Sequence, residues 1–192
     1  MNIATARKAP SALLGVGVAL GLLGAAATPL LAGESTQPSA AFEAPELIGD
    51  SWLNVPKGTQ LSIASRKGKV TVLHFWTYGC INCKHNLPAY DRWQKRFAAK
   101  GLMVIGIHSP ETKEEAELTN VTKKVKEYGI TYPVLVDSEL QNWKRWQQRV
   151  WPAVCLIDKN GWVRYGWEGE LGPPSSGVEA RLTQLIEALL KE

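Results

Sequence analysis

The chain has 192 residues, enough for one domain with a substantial core and too few for two. Hydrophobic residues make up 45% and charged residues 21%, an ordinary globular composition that argues against a disordered or fibrous chain. The formal charge of +4 falls to +2, with 20 basic against 18 acidic residues, once Arg7 and Lys8 of the leader are set aside. No dense basic stripe is present, so nucleic acid is not an expected partner.

Arg7 and Lys8 precede an uncharged run, Ala9 to Gly33, rich in Ala, Leu, Gly and Val and closed by small residues. This basic, apolar, small-residue order is that of a secretory signal peptide. An uncleaved anchor is the competing reading, since 25 uncharged residues could span a bilayer, with Pro29 and the glycines against it. Either way the domain is expected outside the cytoplasm, in a periplasmic or equivalent space. Residues 1–32 are therefore assigned to the signal or anchor, 33–43 to a polar linker, and 44–192 to the folded domain.

Gln60–Ile63 alternates polar and apolar residues, as a half-buried strand would. Val70–Phe75 is nearly continuous in apolar and β-branched residues, which suits a central strand covered on both faces. The helix that follows, Lys84 to Lys100, carries Leu87, Tyr90, Trp93 and Phe97 on one face and Pro88 inside it, where a kink is expected. After Gly101, Leu102–His108 reads as a second buried strand, making a βαβ unit with a parallel pair. Glu111–Tyr128 reads as one charged helix whose acid–base run, up to Lys126, is a solvated face. Pro133–Val136 is a short strand, and Glu139–Arg149 a helix that places Trp143 and Trp146 mainly in the core. Val150-Trp151-Pro152 breaks that helix before the strand Ala153–Ile157. Lys159-Asn160-Gly161 predicts a two-residue hairpin turn with positive φ, Trp162–Trp167 the returning strand, and Val178–Leu190 a C-terminal helix.

Cys80 and Cys83 stand between the first buried strand and its helix, in C-x-x-C spacing. At a helix start the unpaired amides and the dipole stabilise the first sulfur as thiolate, the nucleophile of thiol–disulfide exchange. Half a zinc site is the blander reading, but zinc takes about four ligands and only His85 and the distant Cys155 are on hand. No metal is expected. Haem attachment is excluded because Lys84, not a histidine, follows Cys83. Three cysteines are too few for a disulfide scaffold. Cys155 lies in an apolar strand and reads as a buried free thiol, the alternative being an off-path disulfide with the dithiol. His85 reads as solvated.

The motif Phe75-Trp76-Thr77-Tyr78-Gly79-Cys80-Ile81-Asn82-Cys83, with Arg149-Val150-Trp151-Pro152-Ala153 and Leu156-Ile157-Asp158, resembles the TlpA/ResA-type thiol–disulfide proteins of the thioredoxin superfamily. Within these it is most similar to the DipZ-like branch. Ala44-Pro45-Glu46-Leu47, Trp52-Leu53-Asn54 and Ile107-His108-Ser109-Pro110-Glu111 resemble further landmarks, so the likeness spans about residues 44–190. It implies an α/β thioredoxin-like fold, a central mixed sheet flanked by helices. A helix and strand would be inserted between the βαβ unit and the cis-proline strand. It also implies that Cys80 attacks, Cys83 resolves, and Pro152 is a cis-proline exposing the backbone of Trp151 to an extended substrate strand. Trp151, Trp76 and Gly79 would form the substrate rim. The chain departs from the pattern at three positions. Gly79 replaces the tryptophan common before the first cysteine. His74 stands where a buried acid is expected, either as a core histidine or as a proton acceptor for the resolving thiol. Asn86 stands where ResA-type proteins carry a glutamate.

The expected activity is that of an exported, monomeric thiol–disulfide oxidoreductase that exchanges disulfides with protein substrates without a cofactor. By analogy it is reductive and is recharged by a membrane-bound redox partner. A thiol peroxidase on the same fold is one alternative, though no Thr/Arg peroxide-activating constellation surrounds Cys80. A binding module with a permanently oxidised C-x-x-C is the other.

Overall fold

A run as apolar as Val70–Trp76 is stable as a strand only if helices or loops cover both of its faces, and all seven of its positions are buried. In the computed structural model, which describes residues 41–175 and 177–192, this strand (β3) is central in a seven-stranded mixed sheet. The order across the sheet is β1 (Phe42–Glu43), β7 (Trp162–Glu168), β6 (Ala153–Ile157), β3, β4 (Leu102–His108), β5 (Val134–Val136) and β2 (Trp52–Leu53). β3, β4 and β5 run parallel, whereas β6 lies antiparallel to β3 with Phe75 opposite Ala153. The proposed leader, residues 1–32, lies outside the described residues. The linker boundary needs correcting at its end, because Phe42 and Glu43 pair with Val163 and Trp162 as an edge strand. Backbone pairing of two residues leaves no mark in composition.

One face of the sheet packs Val70, Val72 and Trp76 against α1 (Ile81–Phe97), α3 (Leu118–Glu127) and α5 (Val178–Lys191). The opposite face packs Leu73, Phe75, Ile105 and Ile107 with Trp146, Cys155 and Ile157. Pro88 is accommodated inside α1, which tightens into a 3₁₀ turn at Ala98–Lys100 and stops at Gly101 with φ +95°. These elements follow the predicted order.

Four local expectations are overturned. Gln60–Ile63 forms no strand, because Glu46 draws the chain into a 3₁₀ turn by accepting from the amides of Ile63 (2.8 Å) and Ala64 (2.7 Å). Glu111–Tyr128 is two helices, α2 (Lys113–Ala116) and α3, separated by an extended Glu117. The helix over 139–149 shrinks to α4 (Gln141–Arg145), bounded by left-handed Leu140 (φ +55°) and Gln147 (φ +54°). At the hairpin, Asp158 Oδ1 accepts from the amides of Asn160 and Trp162 at 2.9 Å each. The Asp158 amide donates to the Trp162 carbonyl (2.9 Å), which leaves Lys159, Asn160 and Gly161 in the loop, so the turn is wider than the two-residue form, and Gly161 alone takes positive φ there (+88°).

Candidate active site

β3 releases the chain at Trp76, and Thr77–Gly79 carries it to Cys80, which caps α1. Cys80 Sγ accepts from the Cys83 amide at 3.2 Å. An amide donor and the positive end of a 17-residue helix both favour negative charge on that sulfur. Cys80 is half-buried, whereas Cys83 is buried beneath it. Burial, and after it the contact with Cys80, pushes the Cys83 thiol well above its ordinary value, so Cys83 holds its proton. The two sulfurs are thus chemically unequal. All three cysteines are free thiols.

Pro152 is buried and follows a cis peptide bond after Trp151. Because Ala153 pairs with Phe75, Pro152 lies at the sheet end from which the dithiol loop leaves. The Trp151 indole donates to the Ser109 carbonyl (3.1 Å) and stacks on Trp143, with ring centroids 3.9 Å apart and planes at 19°. Trp143 is half-buried and packs on the core, edge-on to Phe75, as well as on Trp151, and Trp146 is buried as predicted. Asp137 supports the pair: its Oδ2 accepts from Ser109 Oγ (3.1 Å) and from the Trp143 amide (2.9 Å). Apolar Ile81 and Val150, neighbours in sequence of Cys80 and Trp151, are exposed.

Other predicted positions sit differently. Trp76 is fully buried and lines no rim, because an inward position on a doubly covered strand has no route to solvent. His74 is also fully buried, stacked on Tyr90 at 3.9 Å and edge-on to Tyr132, and neither ring nitrogen has a hydrogen-bond partner. Burial lowers its pKa to about 3, so it is neutral at physiological pH. Gly106 on β4 makes this packing possible: a Cβ there would lie 3.0 Å from His74 Nε2 and 3.1 Å from Trp76 Nε1. Asn86 donates from Nδ2 to the Gly169 carbonyl (3.1 Å) and accepts at Oδ1 from the Leu171 amide (2.9 Å). That double role needs an amide side chain, and an ionised acid lacks the donor. His85 is exposed and meets Glu170 at 3.1 Å. Cys155 packs on the sheet face opposite to Cys83, and burial pushes its thiol up to about 12. No metal-ligating cluster occurs among the described residues.

Two residues next to the dithiol were not singled out from the sequence. His108, buried at the end of β4, accepts at Nε2 from the Tyr78 amide (3.3 Å) and faces Thr77 Oγ1 at 3.5 Å. Burial lowers its pKa to about 4, against a smaller opposing pull from Glu115. Glu115 belongs to the run read as solvated, yet it is only 5% exposed, and its Oε1 accepts from the Gly79 amide at 3.0 Å. The pattern Thr112-x-x-Glu115 was the available signal, since it spells a capping box.

With this geometry in place, relatives add a family. The AhpC/TSA family model matches residues 37–166. The chain belongs to the AhpC/TSA family. It is 40% identical over 128 residues to the Mycobacterium tuberculosis protein DipZ, a match covering 66% of this chain and 18% of DipZ. The chain thus spans less than a fifth of that relative's length. To the Bacillus subtilis thiol-disulfide oxidoreductase YkuV it is 28% identical over 143 residues, covering 74% of this chain and 93% of YkuV. Among solved structures, the thioredoxin-like superfamily protein SPOA0173 aligns with a TM-score of 0.69 at 28% identity, covering 78% of this chain and 97% of that one. A thiol:disulfide interchange protein from Chlorobium tepidum TLS aligns with a TM-score of 0.59 at 27% identity, covering 77% and 95%. The fold of this AhpC/TSA family member is thioredoxin-like, a mixed central sheet flanked by helices.

Proposed function

We propose that this chain is an exported thiol–disulfide oxidoreductase that reduces protein disulfides through Cys80 and Cys83. The observation that carries the reading is the inequality of the sulfurs: Cys80 is accessible and amide-bonded at a helix start, and Cys83 is buried with its thiol pushed up. Cys80, as thiolate, attacks one sulfur of a substrate disulfide and expels the other as a thiolate, leaving a mixed disulfide. Cys83 then gives up its proton and attacks Cys80 Sγ, releasing the second substrate thiolate. Two electrons pass from the dithiol to the substrate, the displaced thiolates take up protons, and Cys80–Cys83 is left oxidised. The electrons come from the dithiol, so the cycle calls on no cofactor. A dithiol donor held in the membrane would restore it.

The backbone of Trp151 beside Pro152 offers an edge for an extended substrate strand, and Ile81, Val150 and Trp151 offer apolar contact around it. Residues 1–32 would direct export, and residues from Phe42 onward would form the catalytic domain. His74, neutral and enclosed by Trp76, Tyr90 and Tyr132 with neither ring nitrogen hydrogen-bonded, serves the packing of the sheet face that α1 covers rather than proton transfer to Cys83. Thr77 turns its hydroxyl towards His108, which gives the peroxidase alternative no support from that side chain.

The test is reduction of insulin by the pre-reduced protein, combined with trapping by Cys83→Ser. The expected result is turnover by the wild type and stable mixed disulfides on Cys83→Ser but not on Cys80→Ser. Peroxide consumption without disulfide turnover would overturn the reading in favour of a peroxidase. Absence of insulin turnover together with no mixed disulfide trapped on Cys83→Ser would overturn it in favour of a binding module.

A further inference from the structure

Glu115 spends both carboxylate oxygens on backbone amides. Oε2 accepts from Glu111 (2.7 Å) and Thr112 (3.1 Å), which start its own helix, α2. Oε1 crosses to the loop before Cys80 and accepts from Gly79 at 3.0 Å. The cap of a four-residue helix is complete with Oε2 and the return bond from the Glu115 amide to Thr112 Oγ1. The contact with Gly79 is therefore additional to capping.

Gly79 does not take positive φ, so its backbone conformation does not call for glycine. Space does: a Cβ at position 79 would lie 2.2 Å from Glu115 Oε1. The absence of a side chain directly before Cys80 is thus explained by the carboxylate that occupies its place. Two successive amides ahead of the nucleophile are pinned, Tyr78 on His108 and Gly79 on Glu115. The second pin also places a negative charge one peptide away from the sulfur that must carry charge when the dithiol is reduced. Like charges oppose each other there.

We infer that Glu115 is a positioning residue for the dithiol: through Gly79 it orients Cys80, and its charge biases the pair towards giving up electrons. The inference deepens the proposed oxidoreductase reading and rests on it. It is tested by the rate of reaction of the reduced protein with oxidised glutathione, and by the equilibrium between Cys80–Cys83 and a glutathione buffer. Neither readout requires a protein substrate.

Glu115→Gln is expected to shift that equilibrium about tenfold towards the reduced protein, equivalent to about 30 mV. Gly79→Ala is expected to push the Glu115 carboxylate off the residue-79 amide and so to slow the reaction severalfold. Gly79→Ala combined with Glu115→Ala should recover part of that loss because the clash is gone, giving a non-additive cycle. Urea midpoints of each variant identify any that fail to fold, and Glu115→Asp then serves as the milder change. An equilibrium in Glu115→Gln within twofold of wild type, with a Gly79→Ala loss independent of residue 115, would overturn the inference. Failure of the oxidoreductase reading looks different: insulin turnover would be absent while both glutathione readouts still respond to Glu115.

Discussion

Replacing Asn86 by Asp restores an acid close to where the family resemblance expects one, and the structure dictates its cost. Asn86 is 2% exposed and bridges the 169–171 loop with one donated and one accepted bond, 3.1 Å to the Gly169 carbonyl and 2.9 Å from the Leu171 amide. The same loop holds Glu170, whose carbonyl takes the Trp167 indole at 3.2 Å. Asn86→Asp keeps the acceptor but sets a carboxylate oxygen against the Gly169 carbonyl. Leaving the half-buried Gly169 carbonyl without its donor costs about 1–3 kcal/mol and setting an ionised oxygen against it costs more, so the variant should lose about 2–4 kcal/mol at neutral pH. For a domain of this size that is a fall in Tm of about 5–15 °C. The new carboxyl, raised by burial above its unfolded value of about 3.9, is penalised most above both values and least when it is protonated in both states. Protonated, it can again donate to Gly169. The deficit relative to wild type should therefore shrink as pH falls, whereas that of Asn86→Ala should not. Urea denaturation of all three proteins at pH 7.5 and 4.5 measures this. A deficit below about 0.5 kcal/mol, or one equal at the two pH values, would refute the bridging argument.

The buried histidines predict an acid-side weakness of the fold. His74 and His108 ordinarily titrate at 6.5 but sit at about 3 and about 4 in the fold, so the unfolded chain binds protons that the folded one refuses. Stability should fall as pH drops below 6.5, by up to about 1.4 kcal/mol per pH unit for each histidine, and His74→Leu should flatten that slope by one proton. Urea midpoints from pH 7 to 4.5 check this, and an unchanged slope in His74→Leu would remove His74 from the account. Trp151→Ala should cut kcat/KM for protein disulfides by about tenfold while lowering stability by only about 1–2 kcal/mol, since the stack on Trp143 is half-buried. Equal losses in the reaction with glutathione and with a protein substrate would show that Trp151 plays no part in recognition.

What could be read from the residues alone was what depends on local pattern. β3, β4, α1 and α5 are long and strongly periodic or apolar, and they form where predicted. The dithiol at the start of α1 needed only a strand–turn–helix reading. The misread segments are those ruled by a partner far along the chain: Glu46 folds Ile63 into a turn, and β7 recruits Phe42 to the sheet edge. The three departures from the family pattern divide in the same way. Gly79 looked like a missing tryptophan and is a position emptied for Glu115, 36 residues on. Asn86 looked like a missing acid and is a two-way bridge to a loop 83–85 residues on. His74 looked like a substituted acid and fills an aromatic enclosure for which Gly106 leaves room. In each case the neighbour that explains the residue is distant in sequence, so a departure from a motif says that something else claims the position without saying what. Such a departure has to be read through its nearest neighbours in space: at Asn86 they account for the residue by structure alone, whereas at Gly79 they bring the Glu115 carboxylate up to the dithiol loop.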